Sequence, residues 1–186
     1  ITYTNNSPHT LSYLWLQLDP NLFSKHSYTP LTDDAQDLDE ISYKKLKGIL
    51  YRAGFDGSIT ISSVKDTNGK DLPRTIVKTM MRVDLEAPLR SGESFSFSSA
   101  WSFALVALQK LRARSGQEVL DDGNAIYSVA QWYPRMCAYT DVHGWRHRQY
   151  IGGAEFTLEF GSFLVRITVP EDHIVAATGT LQNPDA

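Results

Sequence analysis

The sequence predicts an all-β domain: apolar and polar residues alternate along most of the chain, turn residues separate the alternating runs, and helical periodicity is scarce. The first residues, Ile1-Thr2-Tyr3-Thr4, already read as a strand and begin without methionine, which predicts a fragment of a longer protein. Leu14, Leu16 and Leu18 then share one face of a strand, with Tyr13, Trp15 and Gln17 on the other. Residues 37–47 place acidic side chains first and lysines last, the order a helix dipole favours, so a short helix is predicted there. Asn68-Gly69 marks a turn in the polar stretch 65–74, and Val77, Thr79, Met81, Val83 and Leu85 form the next alternating run.

Pro88 with Ser91-Gly92 marks a turn before the clearest strand, residues 94–105. There Phe95, Phe97, Trp101, Phe103 and Leu105 point one way; Ser94, Ser96, Ser98, Ala100, Ser102 and Ala104 point the other. Residues 105–114 fit either a strand end or a short helical turn. Near the end of the chain, Gly161-Ser162 separates Phe156, Leu158 and Phe160 from Phe163, Val165, Ile167 and Val169. A tight hairpin is predicted at that point, because glycine reaches positive φ without a Cβ clash. Together these elements predict an antiparallel β-sandwich or wide curved sheet with one or two short helices, in one domain spanning residues 1–186.

At 186 residues the chain is long enough to bury a substantial core. A net charge of −3 argues against nucleic acid as a partner, since phosphate binding wants a basic face. The single cysteine, Cys137, rules out an internal disulfide and reads as a small buried apolar side chain. No apolar run is long enough to span a bilayer.

Most candidate sites dissolve on inspection. His143 and His147 stand four residues apart, the spacing of a zinc-binding helix. Gly144 disfavours that helix, and neither the water-activating Glu nor an acidic third ligand is present, so they read as surface histidines and no metal is assigned. Gly152-Gly153 lacks the lysine and following helix of a phosphate cradle. Asp33-Asp34 and Asp121-Asp122 read as solvated loop charges without calcium-loop spacing. One dense segment, residues 121–135, remains. It reads either as a strand ending in a turn with Trp132 and Tyr133 in the core, or as a rim presenting Gln131 to a ligand. An amide oxygen accepts a hydrogen bond from an ammonium group without any pKa tuning.

This segment carries a resemblance. Ala130-Gln131-Trp132-Tyr133-Pro134-Arg135, then Tyr139 and Asp141, His143-Gly144-Trp145 and Tyr150-Ile151-Gly152, resembles a bacterial branch of the aminopeptidase N family of zinc metallopeptidases. Residues 2–8 leading to Leu14-Trp15-Leu16-Gln17-Leu18-Asp19, and residues 161–170 running into 172–183, are similar to the same branch. Residues 25–75 and 105–118 carry no such likeness. The resemblance implies a saddle-shaped, non-catalytic N-terminal β domain that forms one wall of the substrate cleft. Its own C-terminal catalytic zinc domain would be the partner, and the N-terminus of a peptide the substrate group held. The family's His-Glu-x-x-His and Gly-x-Met-Glu-Asn motifs are absent, and Gly152-Gly153-Ala154-Glu155-Phe156 lacks the Met and Asn of the second. No cofactor is therefore expected in this chain, and zinc is expected only in the parent enzyme. Gln131 matches the position from which relatives hold the substrate's α-amino group. Met136-Cys137-Ala138-Tyr139-Thr140-Asp141 stands where many relatives carry Pro-Cys-Phe-Asp-Glu-Pro. Relatives in this branch are often exported, which implies a periplasmic or secreted protein, with the cytoplasm as the other possibility. The competing functional reading is a free-standing β-sandwich that binds carbohydrate or protein through Trp132, Trp145 and Tyr150.

Overall fold

In a computed structural model the described residues are 1–27, 40–111, 113–152 and 157–183. The strands of the first half are β1 (Thr2–Thr4), β2 (Leu11–Gln17), β3 (Thr60–Asp66), β4 (Arg74–Val77), β5 (Met80–Leu89) and β6 (Ser94–Ser102). Shorter ones follow: β7 (Val106–Ala107), β8 (Gly116–Val119), β9 (Ala125–Ser128), β10 (Arg135–Met136), β11 (Tyr139–Thr140) and β12 (Gly144–Trp145). A 3-10 turn (Asp19–Phe23) and one helix, α1 (Tyr43–Gly54), complete the described elements.

The alternation in β2 dictates what it buries. Its pairing with β5 sets Leu14 opposite Val83 and Leu16 opposite Met81, and all four side chains are fully buried. β4 and β10 extend this sheet in the order β10-β2-β5-β4. A second antiparallel sheet has the order β1-β6-β3, and its Tyr3, Ile61, Val64 and Phe97 join the leucines of β2 in one core cluster. The domain is thus all-β, with two antiparallel sheets sharing a core. The small-residue face predicted for residues 94–105 is realised: Ser94, Ser98, Ala100 and Ser102 are exposed, while Phe95 and Trp101 pack against the core. Of residues 105–114, Val106–Ala107 form the strand end β7, which pairs in parallel with β8, and a helical turn follows in which the Lys110 and Leu111 amides donate to the Ala107 carbonyl; Arg112 lies outside the described residues. No helix among the described residues is long and apolar enough to cross a membrane.

Buried amides tie the loops to these sheets. Asn5 donates through Nδ2 to the carbonyls of His9 (2.7 Å) and Leu89 (3.0 Å). Asn21 donates to the Lys78 carbonyl and accepts from the Ile59 amide (2.9 Å). Each satisfies loop backbone that would otherwise lie buried without a partner.

Four expectations are corrected. The run from Val77 to Leu85 is two strands, because β4 and β5 form a hairpin with Val77 opposite Met80. Its two-residue loop, Lys78-Thr79, holds Lys78 at φ 54° without the Gly or Asn that such a turn usually advertises. The helix predicted at 37–47 begins at Tyr43 among the described residues and runs on to Gly54; residues 37–39 lie outside them. Ser42 decides the start, since its Oγ accepts from the Lys45 amide and caps the first turn. Pro88 lies inside β5, where the register shifts and no ladder bond is demanded of it, and the turn itself is closed by Gly92 at φ 81°. Finally, the hairpin expected at Gly161-Ser162 does not form. Residues 157–183 contain no strand, only an isolated bridge between Leu158 and Cys137; Phe156 lies outside the described residues. Phe163, Val165, Ile167 and Val169 are exposed instead. Alternation supplies a face, and a lone two-stranded hairpin without a sheet to cover that face is only marginally stable.

Candidate functional site

The segment leading to Gln131 begins with the β8–β9 hairpin. Its loop is closed by Asp122, whose carboxylate accepts from the amide (2.9 Å) and side-chain nitrogen (2.9 Å) of Asn124, with Gly123 at φ 88°. Those N–H donors, the backbone one first, lower the Asp122 pKa, which marks the side chain as turn chemistry. Asp121 and Asp122 are exposed as predicted, whereas Asp33-Asp34 lie outside the described residues.

After β9 the chain is held at three successive points. The Ala130 amide donates to Ser115 Oγ (2.7 Å), and that hydroxyl donates back to the Ala130 carbonyl. The indole N–H of Trp101 donates to the Trp132 carbonyl (2.9 Å). Arg135 Nε then pairs with Asp19 Oδ2 (2.7 Å), and Asp19 Oδ1 accepts from Gln17 Nε2 (2.6 Å). Between the first two anchors Gln131 is half-buried at φ 53°, a left-handed conformation that side chains with a Cβ rarely adopt. Such strain persists only where the surroundings over-determine it, as the flanking anchors do here.

The reading that places Trp132 and Tyr133 in the core at a strand end is met in part. The strand does end in a turn, at Ser128, but both rings are half-buried and outside the core cluster. They belong to a chain of aromatic contacts running from Trp101 through Trp132 (6.0 Å) and Tyr133 (5.1 Å) to Phe163 (5.7 Å). Trp145 is buried against Tyr3 and Tyr139, and Tyr150 is half-buried. Sequence reasoning missed Ser115, Trp101 and Asp19 as positioning residues. Only Asp19 and Arg135 had a signal, as opposite charges in otherwise apolar strand contexts, and nothing local links residues so far apart.

His143 and His147 sit on the β11–β12 hairpin and the segment after it, not on a helix. His147 stacks on Trp15 (4.7 Å) and donates from Nδ1 to the Trp145 carbonyl (2.9 Å). With Trp145, Arg146 and Arg148 the two histidines line an open cavity of about 270 Å³. Among the described residues no three His, Cys, Asp or Glu side chains gather as a metal-ligand set.

Cys137 is fully buried and unpaired, as the composition predicts. Burial pushes its thiol up to about 12; the Asp19 charge adds to this and Arg135 opposes it. Burial, with Glu159 and Tyr139, likewise pushes Tyr3 up to about 12. Both groups are held neutral, so the stability they contribute is complete below their unfolded values and is lost as pH climbs towards about 12. The domain is therefore expected to unfold at lower urea at pH 10.5 than at pH 8, and a thiol reagent at pH 8 is expected to label Cys137 only once urea unfolds the chain. Rapid labelling of the native protein would contradict this placement. No protein-family model, curated protein or solved structure matches the chain.

Proposed function

We propose that this chain is the non-catalytic N-terminal domain of a zinc-dependent aminopeptidase, forming one wall of the substrate cleft and holding the substrate's free α-amino group through Gln131. The observation that carries the proposal is the setting of Gln131. A polar side chain with no catalytic chemistry of its own is held in a strained backbone conformation, between two carbonyls fixed by Ser115 and Trp101. An amide carried on so firmly anchored a backbone supplies an oxygen that can accept a hydrogen bond from an ammonium group. The resemblance of residues 130–135 to the aminopeptidase N family gives that ligand its identity as a peptide N-terminus.

The donor groups of the described residues do not fit a zinc centre, so in this reading the metal is held by a separate catalytic domain of the parent enzyme. When bound there, zinc would supply Lewis-acid activation of water and of the scissile carbonyl. The residues of the present chain contribute orientation alone. An exported location follows from the same resemblance.

In the full-length enzyme, Gln131→Ala is expected to lower kcat/KM for an aminoacyl reporter by about 10- to 100-fold, the worth of one hydrogen bond to a charged group. Gln131→Glu should retain or exceed the parental efficiency, since a carboxylate accepts the same bond. Unchanged efficiency in Gln131→Ala would remove the residue from the substrate site. Zinc-dependent hydrolysis by the purified 186-residue chain would overturn the whole proposal.

A further inference from the structure

Residues 143–148 are pinned at both ends and between them. The β11–β12 hairpin turns through Asp141-Val142-His143, where the His143 amide donates to Thr140 Oγ1 (3.1 Å) and Gly144 at φ 65° redirects the chain. Trp145 then packs against Tyr3 and Tyr139, and the Arg146 amide donates to the Ala138 carbonyl (2.8 Å). His147 is held by its stack on Trp15 and by the Trp145 carbonyl. Just past Arg148, the Gln149 side chain donates to the Val77 carbonyl (2.8 Å) and accepts from the amide and hydroxyl of Thr79. Arg146 and Arg148 are therefore both carried on backbone that is anchored on either side.

Neither guanidinium has a counter-ion. Arg82 and Arg135 are paired with Asp84 and Asp19, whereas the side chains of Arg146 and Arg148 make no hydrogen bond or ion pair among the described residues. Asp141 is the one carboxylate from Tyr139 to Gly152, and it stands exposed in the hairpin turn without pairing to either. Glu159 accepts from the Tyr139 amide (3.1 Å), and Glu155 lies outside the described residues. The side chains that meet this stretch from β2 and from the β4–β5 turn, Trp15 and Thr79, are uncharged. Both arginines nevertheless line one open cavity of about 270 Å³, together with His143, Trp145 and His147.

We propose that this cavity binds the phosphate group of a soluble phosphomonoester. Each guanidinium offers a planar fork of N–H donors that matches phosphate oxygens two at a time, and the imidazoles add further ring nitrogens. A single carboxylate has too few oxygens to engage both forks, whereas a phosphate has three free oxygens and up to two negative charges near neutral pH. The anchored backbone keeps two like charges close together before any ligand arrives, so the anion relieves a repulsion that the fold has already imposed. Two arginines make a pocket for one phosphate group, not the extended basic face that nucleic acid requires. The site shares no residue with the turn that carries Gln131, and the inference does not depend on that reading.

The test is calorimetric titration of the purified 186-residue chain with inorganic phosphate, glycerol phosphate and acetate at matched ionic strength. Saturable binding of both phosphates is expected, at least about tenfold tighter than that of acetate. Arg148→Gln is expected to weaken phosphate binding by about tenfold, and Arg146→Gln/Arg148→Gln by about 100-fold, one charge-assisted contact each. Arg148→Lys keeps the charge without the fork and should fall between wild type and Arg148→Gln. Arg90→Gln, at an exposed arginine outside the cavity, should leave binding unchanged. Arg148 is itself exposed, so Arg148→Gln is expected to keep the wild-type thermal melt. Absence of saturable phosphate binding, equal affinity for acetate, or undiminished binding by Arg148→Gln would each overturn the proposal. Binding to phosphatidic acid vesicles without binding to either soluble phosphate would also overturn it, by making a lipid headgroup the occupant.

Discussion

Replacing Asp19 with alanine is expected to destabilise the domain by about 3–5 kcal/mol, the cost of breaking a buried ion pair by removing one member. Asp19 is 3% exposed at its side chain and Arg135 16%, so their 2.7 Å contact is removed from bulk water. The carboxylate has two jobs, since its other oxygen accepts from the buried amide of Gln17. Alanine therefore removes the carboxylate from a largely buried guanidinium and takes the acceptor from the Gln17 amide, and Asn in its place keeps the shape while losing the charge. Asp19→Asn should fall between wild type and Asp19→Ala in urea unfolding at neutral pH. A double-mutant cycle with Arg135→Ala should show coupling above about 1 kcal/mol. A loss below about 1 kcal/mol for Asp19→Ala would mean that water reaches the pair in solution.

The second large effect is expected at Leu16. Its side chain is fully buried between the sheets, opposite Met81 on one neighbouring strand and Met136 on the other. Leu16→Ala removes about three methylene equivalents and leaves a cavity that two paired strands prevent from collapsing, so a loss of about 2–5 kcal/mol is expected in urea or thermal unfolding. Phe160 supplies the contrast. It is fully exposed, at 102%, although its place in the alternating pattern is as regular as that of Leu16. Phe160→Ser is expected to change stability by no more than about 0.5 kcal/mol. A loss comparable with Leu16→Ala would restore the hairpin that the sequence pattern predicts at Gly161-Ser162.

That pairing of variants also shows what the sequence made legible. The faces of β2 and β6 could be read directly, because alternation and burial coincide wherever a strand lies between two others. Alternation in residues 157–169 is just as clear, yet pairing depends on a partner sheet, which no local pattern specifies. The Lys78-Thr79 turn was hidden for another reason. Lys78 takes up a left-handed conformation under the pull of tertiary bonds: Thr79 donates to Gln149 Oε1 from its amide (2.9 Å) and its hydroxyl (2.7 Å). The helix start was misplaced because one capping hydroxyl, Ser42, outweighed a longer run of favourable charge. At the candidate site the sequence singled out Gln131 and its aromatic neighbours as a group. It carried no trace of the strained backbone, or of Ser115 and Trp101, which arrive from distant parts of the chain to fix the turn.

The ion pair between Asp19 and Arg135 joins residues 116 apart in the chain, and the Ile1 ammonium donates to Phe97, 96 residues away. Closing loops of that size costs entropy before any contact is gained, so topology governs how fast the domain assembles. The local hairpins β4–β5 and β8–β9 can form early, whereas β1 and β10 have to wait for a distant neighbour to exist. Anchoring of the turn that carries Gln131 is accordingly a late event: Trp101 and Arg135 lock it only once β6 and the first sheet are already in place. A partly unfolded chain that loses either sheet would therefore lose the shaped candidate site with it.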